Sequence, residues 1–212
     1  MKISTAGESH GKGLFGMIEG LPAGLKIDTD EIDGYLALRQ SGYGRDARQK
    51  IEHDRVEILS GVRDRVTLGS PVTLAVWNRD YENWKFCMAP EGCDTSARTL
   101  TKVRPGHADL TGLKKFGGTD ARNILERASA RETAVRVAAG TVCRQLLRAL
   151  GVEVSGYVRS VGNVSDEGEY TFDALSGRLG ELFMMDAGKQ AEAMRLIDAC
   201  REAGDTCGGV AE

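Results

Sequence analysis

Residues 129–150 set the strongest limit on how this chain can fold. Val135, Ala138, Ala139, Val142, Leu146 and Leu150 recur at helical spacing, so one stripe of a long helix must be buried. Ser129 and Glu132 stand three apart at its head, the spacing of a capping box, and Gly151 stops it. The helix therefore opens beside Arg127 and Arg131, where unpaired backbone N–H groups and guanidinium groups together favour an anion. The same residues also suit an ordinary capped helix whose arginines sit in water. Just upstream, Arg104-Pro-Gly-His107-Ala-Asp109 reads as a rigid turn carrying a histidine.

The rest of the chain offers partners for that helix. Lys2 to Gly7 reads as a short strand entering a turn framed by Gly7 and Gly11, which gives His10 room to face a ligand. A histidine in such a turn is equally an exposed polar residue. Leu14–Glu19 reads as a second strand and Leu21-Pro22-Ala23-Gly24 as a tight turn. Asp28 or Thr29 caps a helix through Ile32, Tyr35 and Leu36 that ends near Gln40. The segment from Arg39 through Arg45 and Arg48 to Lys50 is either a solvated loop or a glycine-hinged arginine loop that closes on a phosphorylated ligand. Arg55–Val62 and Val66–Asn78 read as paired antiparallel strands. Residues 78–97 read as an irregular aromatic loop without a legible role. Val152–Val164 predicts a strand, Ala191–Glu202 a helix, and Gly204–Glu212 a turn entering a further strand.

Charge and cysteine usage exclude several classes. The net charge of −3 gives no global field toward nucleic acid or an acidic membrane. An RNA-binding role for the Arg39–Arg55 segment is the weakest reading, because Asp46, Glu52 and Asp54 dilute its positive charge. No run of 18 apolar residues and no signal-peptide pattern is present, which predicts a cytoplasmic protein with no membrane partner. The 5 cysteines lack any CxxC pair, which fits reduced thiols and no metal site. Cys143 and Cys200 fall in helical patterns as small core residues. His53 reads as a surface residue.

Several of these segments together resemble the chorismate synthase family. The matching stretches are Gly7-Glu-Ser-His10-Gly11, the Arg39 to Arg45 loop with Lys50-Ile-Glu52, and Ile58-Leu-Ser-Gly61-Val. Arg104-Pro-Gly-His107-Ala-Asp109 follows, then Arg127-Ala-Ser-Ala-Arg131-Glu-Thr-Ala-Val-Arg136-Val-Ala-Ala-Gly140. They fall in the family's order and cover essentially the whole chain. Family members are longer, so the expectation is an N-terminal portion, residues 1–212, of a single domain; Cys207 stands where the family more often has another residue.

The resemblance implies an α+β fold, a β-α-β sandwich of antiparallel sheets on central helices, incomplete at the C-terminus, in a homotetramer. It implies loss of phosphate from 5-enolpyruvylshikimate-3-phosphate to give chorismate in aromatic amino-acid synthesis, a lyase reaction that uses reduced FMN, with NADPH as one reductant. By the same resemblance His10 and His107 are catalytic, at the leaving phosphate and the flavin respectively. Arg39, Arg45, Arg104, Ser129 and Arg131 bind the phosphorylated substrate. Arg127, Ala128 and Ser129 contact the flavin, and Arg39 and Arg45 also serve the nicotinamide cofactor. Little or no activity is expected of this chain alone. The rival expectation is a non-catalytic phosphate- or nucleotide-binding module.

Overall fold

The computed structural model describes residues 1–44, 53–176 and 180–212. The chain divides into two compact units, Met1–Ala37 with Lys50–Leu150, and Leu38–Gln49 with Gly151–Glu212. Arg45, Arg48 and Lys50 of the expected arginine loop lie outside the described residues.

The first unit is built on alternation. Strands β1 (Lys2–Gly7), β2 (Gly13–Glu19) and β3 (Glu57–Ser60) precede a small hairpin of β4 (Val62–Arg63) and β5 (Val66–Thr67), then β6 (Val72–Trp77). The sheet order is β1-β2-β6-β3 and every pairing is antiparallel. The β4–β5 turn is closed by Asp64 and Arg65, both at positive φ, the backbone geometry that matches strand twist in a two-residue hairpin. Leu14, Gly16 and Ile18 alternate onto one face of β2 and are buried there.

Onto that face packs α5 (Thr133–Ala149), the helix read from the apolar stripe. Its Val135, Ala138, Ala139 and Val142 share a core with Leu14, Ile18, Val72, Leu74 and Val76. Ile32 and Leu36 of α1 (Thr29–Gln40) complete it, fully buried. Gly16 is needed where the helix crosses, since a Cβ there would meet Val135 Cγ2 at 2.9 Å. Asp28 caps α1 through its side chain, accepting from the backbone N–H groups of Asp30 at 3.0 Å and Glu31 at 3.4 Å.

Several expectations need correction. Leu150 is 70% exposed, because α5 ends at Ala149 and the stripe leaves the core there. Ser129 caps a 3-10 turn, Ala130–Glu132, not the α-helix itself, and accepts from the Arg131 N–H. Glu132 does not return the bond; its carboxylate takes Thr5 Oγ1 and Arg136 Nε instead. Residues 78–97 are not irregular throughout, because Tyr81–Met88 form helix α2 and Thr95–Arg98 a 3-10 turn. Two short helices, α3 (Asp109–Phe116) and α4 (Arg122–Arg127), separate the histidine turn from α5.

The second unit is smaller. Strands β7 (Val158–Val161), β8 (Val164–Ser165) and β9 (Gly209–Ala211) form a sheet in the order β8-β7-β9. Helix α6 (Ala187–Glu202) sets Ala193 and Leu196 against Val164, Met184 and Val161. The strand expected over residues 152–164 is shorter than predicted, and the final turn does enter a strand. All five cysteines are free; Cys143 and Cys200 are half-buried, and the core cysteine is Cys87. No helix among the described residues is long and apolar enough to cross a membrane. Among the same residues, no group of His, Cys, Asp and Glu gathers in a way that could hold a metal ion.

Candidate active site

The turn after β1 is held from three directions. Gly7 sits at φ 106°, against the backbone of Gly13, where a side chain has no room. Gly11, by contrast, needs no left-handed conformation. From β6's end, Asn78 Nδ2 donates to the carbonyls of Glu8 at 3.1 Å and Gly11 at 2.8 Å. From α4, Glu126 accepts at its backbone oxygen from Ser9 N–H (2.9 Å) and at Oε2 from His10 N–H (2.8 Å). His10 is thus presented by a turn whose polar groups are bonded to distant elements.

The imidazole is fixed as firmly as its backbone. His10 Nδ1 lies 2.9 Å from both oxygens of Glu126, whose side chain is 1% exposed. Arg122 Nη1 reaches the same carboxylate at 3.2 Å. Burial pushes the Glu126 carboxyl up, but the hydrogen bonds and charge of His10, with Arg122, outweigh it and leave its pKa below the ordinary value. Trp84 of α2 stacks on the His10 ring with centroids 3.8 Å apart and planes at 24°. Asp80 accepts from the indole Nε1 at 3.1 Å and so sets the orientation of the indole.

Cations surround this pair. The Arg98 guanidinium lies 4.0 Å from the Trp84 ring centre and that of Arg122 lies 5.3 Å from it. Arg122 Nε also donates to the Arg98 carbonyl at 2.9 Å. In the Arg-Pro-Gly-His turn, Arg104 makes a forked contact with Asp109, at 2.9 Å from Nε and from Nη2, while Asp109 is fully buried. Arg104's pKa is raised, chiefly by its hydrogen bond to Asp109. His107 is exposed at the turn's crest.

Asp109 makes the turn sensitive to acid. Hydrogen bonds from Arg104 hold its carboxyl at a pKa of about 2, down from an ordinary 3.8. A depressed carboxyl contributes its stability above the ordinary value and loses it as pH falls. Unfolding free energy should therefore decline as pH drops from 3.8 through about 2. Asp109→Asn should flatten that limb in urea titrations; an unchanged slope would show that the fork adds no pH-linked stability.

Arg131 has a different setting from the other arginines. It is 7% exposed, with Nη1 at 2.7 Å from both Asp54 oxygens and Nε at 2.8 Å from Asn78 Oδ1. Since Asn78 holds the Glu8 and Gly11 carbonyls, Arg131 supports the His10 turn from beneath. Arg127 is 43% exposed in its side chain and donates from Nη2 to Thr5 Oγ1 at 2.9 Å. Ala128, just after α4, is exposed, and Ser129 is half-buried.

The chain that carries this arrangement has known relatives. The sequence profile of the family described as chorismate synthase matches residues 1–212. The chain belongs to the chorismate synthase family. A chorismate synthase of Desulforudis audaxviator is 52% identical, over 100% of this chain and 55% of that protein. One from Caldicellulosiruptor bescii is 48% identical over 100% of this chain and 57% of that protein. A crystal structure titled chorismate synthase superposes with a TM-score of 0.73 at 36% identity, covering 99% of this chain and 56% of that one. The chain thus spans between 55% and 57% of the length of these relatives. The α+β fold implied by the resemblance is the family's fold, here with antiparallel sheets and mixed helices.

Of the residues singled out by family resemblance, His10, Arg104, His107, Arg127, Ala128, Ser129 and Arg131 all lie in the first unit. Arg39, half-buried in the last turn of α1, groups with the second unit. Arg45 lies outside the described residues, and His53 is exposed as expected. Sequence reasoning missed Glu126, Arg122, Trp84, Arg98, Asn78 and Asp54. Tyr81, Trp84 and Met88 do stand at helical spacing, which was a usable signal for α2.

Proposed function

We propose that this chain carries the His10–Arg104 side of a chorismate synthase site, which eliminates phosphate from C3 and a hydrogen from C6 of 5-enolpyruvylshikimate-3-phosphate. The observation that carries the reading is His10 pinned to a buried carboxylate beside Arg122, and stacked on an indole that Arg98 covers. A trianionic substrate needs that cationic field, and a departing phosphate needs a proton or positive charge on its oxygens. His10 gives that proton as the C3–O bond breaks and its electron pair leaves with phosphate. C6 loses its hydrogen as a proton to a base or to solvent, the C6–H pair forming a ring double bond as the existing one shifts to C3. Arg104, locked in plane by Asp109, offers its remaining N–H groups to the substrate's anionic oxygens. Arg131 serves by holding Asn78 and through it the histidine turn.

The donor set also fits reduced FMN, since Arg127 is exposed beside the Ala128 backbone and the Ser129 side chain, a surface able to hold a phosphorylated, hydrogen-bonding group. When bound, that cofactor lends electron density to the substrate and recovers it, so no net oxidation occurs. His107 holds an exchangeable proton on the open turn. By the same reading Arg39 and Arg45 bind NADPH where it is the reductant, and the whole protein works as a cytoplasmic homotetramer. The share of the relatives' length that the chain spans supports a second reading, in which the chain alone binds substrate without turning it over.

The test compares this chain with a protein extended to the relatives' length. Each is given substrate and FMN, with and without dithionite, while chorismate and free phosphate are followed. Product is expected from the longer protein only when flavin is reduced. Product without flavin, or none under reduction, overturns the proposal. Calorimetric substrate binding by the short chain without product would favour the second reading.

A further inference from the structure

We propose that Glu126 is a positioning residue which fixes the tautomer of His10, keeping the proton on Nδ1 and confining proton exchange with a ligand to Nε2. An ionised carboxylate only accepts hydrogen bonds. Glu126 is ionised at neutral pH, since burial pushes its pKa up but the hydrogen bonds of His10, and then Arg122, hold it below the ordinary carboxylate value. Both its oxygens lie 2.9 Å from His10 Nδ1, so that nitrogen must carry the hydrogen. A neutral ring with an unprotonated Nδ1 would set a lone pair against two anionic oxygens inside a buried site, where charge is poorly screened.

Rotation offers no escape. A 180° ring flip would keep the plane stacked on Trp84 but would turn a ring carbon toward Glu126 and lose both 2.9 Å contacts of Nδ1. The backbone N–H of His10 is itself bonded to Glu126 Oε2 at 2.8 Å, so turn and ring share one anchor. Arg122 Nη1, 3.2 Å from Oε1, balances the carboxylate charge and lets it stay buried. The logic matches that of a histidine whose second nitrogen is oriented by a buried acid so that the first can act.

The inference rests on the elimination reading only for what Nε2 does, and its test does not depend on turnover. Two-bond proton–nitrogen correlation spectra of ring-labelled protein separate the two nitrogens of each histidine. At a pH where the ring is neutral, His10 should show a protonated Nδ1 and an unprotonated Nε2. In Glu126→Gln the side-chain amide can donate to an unprotonated Nδ1, so the Nδ1–H to Nε2–H ratio should fall about tenfold, equivalent to about 1.4 kcal/mol. The wild-type spectrum alone is decisive if the variant fails to fold. A neutral His10 with its proton on Nε2, or a ratio unchanged in a folded Glu126→Gln, would overturn the proposal. The expected tautomer, together with no phosphate release by a protein of the relatives' full length, would sink the elimination reading and leave this one standing.

Discussion

His107→Ala, in a protein of the relatives' full length, should lower turnover by about 10²–10⁴ while substrate affinity stays nearly intact, the range for losing a general acid–base group. The residue is exposed on the turn between Arg104 and Asp109, and the fork between those two fixes that turn without it. Melting temperature should hardly move, because surface substitutions away from special contacts usually stay within about 0.5 kcal/mol. Single-turnover kinetics beside thermal melts would decide it. A wild-type rate would remove His107 from the chemistry, and a rate lost together with stability would make it a structural residue.

Arg131→Ala should have the largest effect on stability, about 3–5 kcal/mol, the penalty for leaving a buried carboxylate unpaired. Asp54 would lose its partner at 2.7 Å, and Asn78 Oδ1 would lose the Nε donor at 2.8 Å. At about 2–4 °C per kcal/mol for a chain of this size, the melting point should fall by roughly 6–20 °C. Removing both charges with Arg131→Met and Asp54→Leu should restore part of that loss, since a matched apolar pair carries no buried unpaired charge. A single variant within about 0.5 kcal/mol of wild type would show that the pair adds no net stability. Arg131→Lys should rescue poorly, because lysine keeps the charge but lacks the planar fork that spans Asp54 and Asn78.

That buried network removes, for Arg131, the alternative of an arginine sitting in water. In sequence it stands beside Arg127 at the head of the apolar helix, and both look like solvent-facing cations. In the fold Arg127 stays on the surface while Arg131 turns under β6. Neighbours four apart near a helix start can face opposite environments once a 3-10 turn intervenes, and Ala130–Glu132 is such a turn.

Sequence by itself determined what local periodicity and turn chemistry control. The apolar stripe of α5, the cap of α1 and the alternation of β2 each follow from side chains within a few positions of one another. Motif order across the whole chain also sufficed to identify the family. Tertiary structure alone decided which charges are buried and whom they meet. His10 finds Glu126 across more than a hundred residues, Arg131 finds Asp54, and Trp84 finds the imidazole. No local pattern encodes such pairs, because a buried charge is tolerable only when a distant partner arrives to compensate it, and which partner arrives depends on how the sheet and helices pack.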